Sequence, residues 1–294
     1  MIWSQYKTLY NNALKQYSPK FKEELQKQVN TFCRTQDFSK ISSKSLETTI
    51  KKLHLALGNR MAGIAYKDVK KGSKAFYTTI ETKSTQTDIW SYTILKMLEV
   101  DGLNTLAQNI TDTTKNQIDY YIQKSLAEGL TLNETIANLK TAGITDYRAE
   151  LIARTETARA ANLGSQIGAI STGLVTNKEW ISAQDNRTRR EPRDHTDHYV
   201  MDGVKIPMDK QFKVPNDKTG LGYELMDHPA DSKASAANVC NCRCTMGYEA
   251  VRGNDGKLKT YQDNPPVGRV GVIWGFIGNL LGMQIGNLIA DALQ

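Results

Sequence analysis

The feature that most constrains this chain is a change of hydrophobic period at Gly173. Upstream, apolar residues recur at steps of three and four, the spacing of one helix face. Leu46, Ile50, Leu53, Leu57, Met61 and Ile64 follow that spacing, and so do Ala149, Ile152, Glu156, Ala160, Leu163, Ile167 and Ile170. Downstream, Val175–Ala183 has strand character, and Asp202-Gly203 is a two-residue hairpin signal between Tyr199–Met201 and Val204–Ile206. A chain that is helical first and short-stranded afterwards is expected to be α+β, with a mostly helical N-terminal half.

Local signals refine this expectation. Ser18-Pro19 predicts the start of a second helix ending near Cys33, because proline suits a first helical turn. Ser42–Lys71 reads as an amphipathic helix closed by Gly72, and polar Thr78–Thr87 as a connection or a frayed helix end. Trp90–Ser125 reads as one long helix with Ile94, Leu95, Leu98, Leu103, Leu106 and Ile110 inward. Thr131-Leu132-Asn133-Glu134 is a capping-box pattern for a short helix that Gly143 ends. Lys210–Asp227, polar with Gly220 and Gly222, reads as a long loop. Asn238–Tyr248 reads as a strand with Cys242 and Cys244 on one face. The expected divisions are a basic helical region (1–145), an α+β module (146–250), a linker (251–266) and a C-terminal helix (267–294).

Charge is uneven. Residues 1–80 hold 15 Lys/Arg against 5 Asp/Glu, a net +10, within a chain of net +7, so the remainder sums to −3. Such a half suits a nucleic acid or an acidic surface, and equally a solvated helical face. Met1–Gln5 lacks a basic region followed by an apolar run, and the four cysteines do not form a secreted disulfide pattern. Synthesis in a reducing cytoplasm is therefore expected.

Chemistry-bearing residues gather between Trp180 and Tyr248, which holds three of the four histidines and three of the four cysteines. His198, Cys242 and Cys244 are candidate zinc ligands, with His228, His195, Cys240 or Asp185 as a fourth, because zinc prefers thiolate and imidazole. The same residues also suit a metal-free structural corner, or a base and nucleophile of a hydrolase or toxin-like effector. No nucleophile elbow or H-E-x-x-H signature accompanies them, so a non-catalytic role is expected. Glu156 falls in an apolar helical line, where a carboxylate needs a cation, and Arg187 or Arg189 is the expected partner.

Six motifs occur in order: Arg154-Thr155-Glu156, Trp180, Asp185-Asn186-Arg187-Thr188-Arg189, His198 with Asp202-Gly203, Pro229-Ala230-Asp231, and Asn241-Cys242-Arg243-Cys244. Together, over Asp146–Tyr248, they resemble the phage Mu protein F-like minor head (head morphogenesis) proteins of tailed bacteriophages. Glu191-Pro192-Arg193 and His195 lengthen the segment between the arginines and the matching histidine. The resemblance implies a virion protein inside the capsid at the portal vertex. It would assist head assembly, contact the portal and other head proteins, associate with packaged double-stranded DNA and leave with the genome. Glu156, Asp185, Arg187, Arg189 and Asp231 are expected to form a structural ion-pair cluster.

The tail, Val270–Ala290, is uncharged, with Gly271, Gly275, Gly278, Gly282 and Gly286 at steps of three and four. Small residues at that spacing let helices approach closely, so docking on a protein partner, action on a host membrane through 270–290, or packing as a core helix of the chain itself is expected.

Overall fold

The structure, a computed structural model, describes residues 3–73, 83–141, 143 and 145–292. Side-chain surroundings are described for these except 83–85 and 281–292. Among them are eight α-helices and five short strands. Residues 74–82, which include the first half of the expected Thr78–Thr87 segment, lie outside the described residues, and its second half, 83–87, is already helical.

Helix α1 (Trp3–Thr35) runs through Pro19 without a break, so the expected second helix does not start there. Its buried line (Tyr6, Tyr10, Ala13, Tyr17, Phe21, Leu25, Val29, Phe32) continues unbroken past the proline, which sits on the exposed face. The bond that Pro19 cannot donate to the Lys15 carbonyl is lost where water can replace it. Helix α2 (Lys44–Ser73) follows the expected spacing, with Leu46, Ile50, Leu53, Leu57 and Met61 buried. The long helix expected over 90–125 is two: α3 (Lys83–Val100) and α4 (Leu103–Ala127) meet at Gly102, whose φ of 74° no helix interior accepts. In the cap of α5 (Leu132–Thr141), the Thr131 amide donates to the Glu134 carboxylate at 2.7 Å.

Helix α6 (Asp146–Ile170) is the axis of the molecule, buried on every side from Thr155 to Ile170. Helix α2 lies against it at backbone contact. A Cβ at Gly164 would sit 2.5 Å from the Gly58 Cα, and one at Gly168 would sit 2.1 Å from the Ala62 carbonyl oxygen. Small residues four apart on both helices make this approach possible; Gly164 and Gly168 carry that signal in the sequence.

The strands follow: β1 (Thr176–Ile181), β2 (Lys205–Pro207), β3 (Phe212–Pro215), β4 (Tyr223–Met226) and β5 (Thr245–Ala250), with the short helix α7 (Ala236–Val239) before β5. One antiparallel sheet has the order β2-β1-β5, with Lys178 opposite both Ile206 and Tyr248. The turn at Asp202-Gly203 forms, but β2 pairs with β1 and not with 199–201. The amides of Tyr199 and Val200 are already taken by the Asp197 carboxylate. The expected loop 210–227 contains the β3–β4 hairpin, with Phe212 and Val214 turned inward. Cys242 and Cys244 lie just before β5 instead of on a strand, after the α7 turn.

Helix α8 (Gly268–Ala292) packs through Val270, Ile273 and Ile277. Trp274 lies on Tyr261, and Arg269 forks onto Asp101 at 2.6 and 2.7 Å. Gly275 and Gly278 face outward with nothing near an added Cβ, whereas Gly271 sits over the Pro266 carbonyl. Gly282 and Gly286 lie where side-chain surroundings are outside the described residues. Among the described residues no helix is long and apolar enough to cross a membrane. One core cluster joins α1, α2, α3, α6, the sheets and α8.

Candidate functional site

The three expected ligands come together. His198 Nδ1 lies 3.7 Å from Cys242 Sγ and 3.6 Å from Cys244 Sγ, and all three ligand atoms are within 4.8 Å of one another. They could hold a metal ion. Each residue arrives by a different local device. The Arg189 carbonyl accepts from the His198 amide at 3.0 Å, fixing the loop after β1. The α7 turn carries Cys242, whose amide donates to the Val239 carbonyl. Left-handed Asn241 (φ 57°) then swings the chain toward β5.

Helices close the corner. Asn162 of α6 donates to the Cys244 carbonyl at 3.0 Å and to the Pro229 carbonyl at 3.1 Å. Tyr6 of α1 donates to the same Cys244 carbonyl at 3.4 Å, and Trp180 meets the His198 ring edge-on at 5.4 Å. Cys242 is held well below the ordinary thiol range, chiefly by its hydrogen bond with Cys244 and then by His198 and Arg189, although burial opposes this. Burial and the neighbouring Cys242 push Cys244 well above that range.

His228 does not join this group. Its Nδ1 lies 3.0 Å from its neighbour's carbonyl, Pro229 O, in a tight turn where Ala230 is left-handed (φ 62°) and Asp231 accepts the Asp227 amide at 2.8 Å. That turn commits the ring elsewhere. His195 is exposed beside Asp217, and Cys240 is half-buried.

The acidic and basic residues expected to form one cluster fall into separate pairs. Glu156 is buried, but neither Arg187 nor Arg189 reaches it. It binds Arg159 at 2.7 Å on its own helix and His54 of α2 at 3.4 Å. A cation one turn along the same helix reaches the carboxylate without any loop having to be placed. Burial pushes the Glu156 carboxyl up, yet Arg159 and His54 outweigh it and hold it below its ordinary value. Arg189 donates to the Cys240 carbonyl, and Arg187 is exposed with its amide on Asp185. Asp185 receives a two-pronged contact from Arg243, the residue between the cysteines, which holds its carboxyl well below the carboxylate range. Asp231 caps the amides of Asp227 and Lys233.

Sequence reasoning missed Arg159, His54, Arg243 and Asn238. The first two carried a signal: Arg159 stands three after Glu156, and His54 lies in the buried line of α2. Lys178 was missed too. It shares strand parity with Trp180, so it points inward, is fully buried and donates to the Asp227 carbonyl at 2.8 Å. Burial lowers its pKa to about 8, against the pull of Asp227 and Asp231. The unfolded chain keeps this proton up to about pH 10.4, so between about pH 8 and pH 10 it binds more protons than the folded chain. Stability is expected to rise over that interval in denaturant titrations, and Lys178→Met to flatten the rise. An equal rise in the variant would show that the proton sits elsewhere.

Residues 116–247 match the family model described as Phage Mu protein F like protein. They form a phage Mu protein F-like domain. It begins inside α4, contains α5 and α6 and ends within β5, so the whole His198–Cys242–Cys244 corner lies in it. The Mu F-like family points to a phage head morphogenesis protein and a virion component that meets other head components. No curated protein and no solved structure matches the chain.

Two cavities flank the corner of the Mu F-like domain. One of about 510 Å³ is lined by Glu156, Arg159 and Cys240 among apolar residues of α4 and α6. One of about 360 Å³ is lined by Tyr6, Tyr10, Asp185, Arg187 and Arg243. Neither is lined by His198, Cys242 or Cys244.

Proposed function

We propose that this chain is a minor head protein held inside the capsid near the portal, where it assists head assembly and touches packaged DNA. The observation that carries this reading is the Mu F-like match over a span whose polar chemistry is spent on folding. Glu156, Arg159, Asp185 and Arg243 are paired with one another, and the three metal-ligating side chains are sealed from both neighbouring cavities. The domain acts as an attachment unit without turnover. The exposed Gly275 and Gly278 of α8 leave room for the close approach of a portal or head-protein helix.

Particles from the phage that encodes the chain test this. Mass spectrometry of nuclease-treated, DNA-filled heads is expected to find the protein at low copy, and deletion of its gene to reduce filled heads. Heads that fill normally without it would overturn the reading. DNA contact has its own readout. Lys7, Lys15 and Lys20 are exposed on α1, and each phosphate contact steepens the salt dependence of affinity by about 0.9 in log–log slope. Changing all three to Glu is expected to reduce that slope by about 2 to 3. An unchanged slope places the DNA elsewhere.

A further inference from the structure

We propose that His198, Cys242 and Cys244 ligate one zinc ion, and that Glu224 on the β3–β4 hairpin sets the affinity by orienting His198 through Asn238. The argument begins with spacing. Zinc binds sulfur at about 2.3 Å and imidazole nitrogen at about 2.0–2.1 Å, so a tetrahedral ion separates the two donors by about 3.6 Å. The two sulfurs lie 3.7 and 3.6 Å from Nδ1. Both nitrogen-to-sulfur separations already match an edge of such a tetrahedron.

The second observation is a chain of hydrogen bonds that allows only one protonation pattern. The Glu224 carboxylate is an acceptor only. It takes bonds from the Ser235 amide (3.0 Å) and hydroxyl (2.8 Å), the Asn216 amide group (3.0 Å) and Asn238 Nδ2 (2.5 Å). Asn238 must therefore turn its Oδ1 toward His198, where it lies 2.9 Å from Nε2. That oxygen can only accept, so Nε2 carries the hydrogen and Nδ1 presents its lone pair to the two sulfurs. A ligating histidine is commonly fixed in this way by a partner on its other nitrogen.

Burial supplies the rest. His198, Cys242 and Cys244 are 1%, 1% and 3% exposed. Two sulfurs and a ring lone pair face one another there, away from water. Zinc would take both sulfurs as thiolates and the ring through its lone pair. Because the flanking cavities stop short of the ligand atoms, the ion acts as a staple between the loop after β1 and the start of β5.

Cobalt(II) titration of the reduced, chelator-treated full chain tests the proposal, with zinc as competitor and metal analysis of the untreated protein alongside. The expected result is about one equivalent of zinc as purified and a thiolate-to-cobalt charge-transfer band with four-coordinate visible bands, both abolished by stoichiometric zinc and absent in Cys242→Ser/Cys244→Ser. Because that double variant can fail to fold, Glu224→Gln and Asn238→Ala provide the second arm. Both are expected to keep the wild-type circular dichroism while binding cobalt about 10- to 100-fold more weakly. A folded wild-type chain that gives no thiolate band overturns the site, and so does a band that survives loss of both cysteines. Wild-type affinity in Glu224→Gln overturns the relay. None of these readouts depends on where the protein sits in the particle.

Discussion

Gly168→Ala is expected to destabilise the fold by about 3 kcal/mol or more, the upper end of overpacking costs. The added methyl would stand 2.1 Å from the Ala62 carbonyl oxygen, a backbone atom that no rotamer change can move. Relief requires α2 and α6 to separate along their length, which loosens the packing of Leu57, Met61, Leu163 and Ile167. Gly164→Ala meets the Gly58 backbone in the same way. The control is Gly278→Ala on α8, where nothing lies within 4 Å. There alanine is expected to be neutral, or to stabilise by about 0.4–1 kcal/mol through better helix propensity. Urea midpoints at unchanged m-value measure both, and near-wild-type stability of Gly168→Ala would mean the two helices are not in backbone contact.

Glu156→Ala should cost about 3–5 kcal/mol, because it leaves Arg159 and His54 buried without their carboxylate. The penalty belongs to the abandoned charge more than to the pair. Replacing His54, Glu156 and Arg159 together by apolar residues of similar volume is therefore expected to recover most of it. The acid response has a definite sign. The folded-state pKa of Glu156 lies below its unfolded value, so its contribution is complete above about pH 4.3 and disappears as pH falls through the folded value. Glu156→Gln should show a smaller loss of stability between neutral pH and pH 3 than the wild type. Parallel curves for the two proteins would assign the acid sensitivity to other carboxylates.

What the sequence made legible follows from the range of the forces involved. Periodic burial is local, so the α2 line from Leu46 to Met61, the cap at Thr131 and the strand around Trp180 could be placed from spacing alone. The burial of Glu156 followed from its register among apolar neighbours. Its partner did not follow. Choosing Arg159 over Arg187 or Arg189 depends on where a loop lies in space, which spacing does not encode, although the three-residue offset on one helix deserved more weight. The same limit hid the β3–β4 hairpin, whose strands are four residues each with one charged residue apiece, Lys213 and Glu224, on opposite faces. At Pro19 a strong local signal lost to tertiary packing, since eight buried side chains on one face outweigh a single missing bond. The His198–Cys242–Cys244 corner was visible as a gathering of residue types. Its orientation by Asn238 and Glu224 was not, because neither residue is unusual in composition.

The bond from Tyr6 to the Cys244 carbonyl spans 238 positions of chain. A contact of that separation closes a very long loop and gains nothing until the intervening helices are assembled. The docking of α1 on the cysteine loop is thus expected to come late in folding. Until the cysteine loop exists, the tyrosine face of α1 has no roof to complete and stays open to other chains. A fragment trimmed to 116–247 would keep the loop and lose that roof.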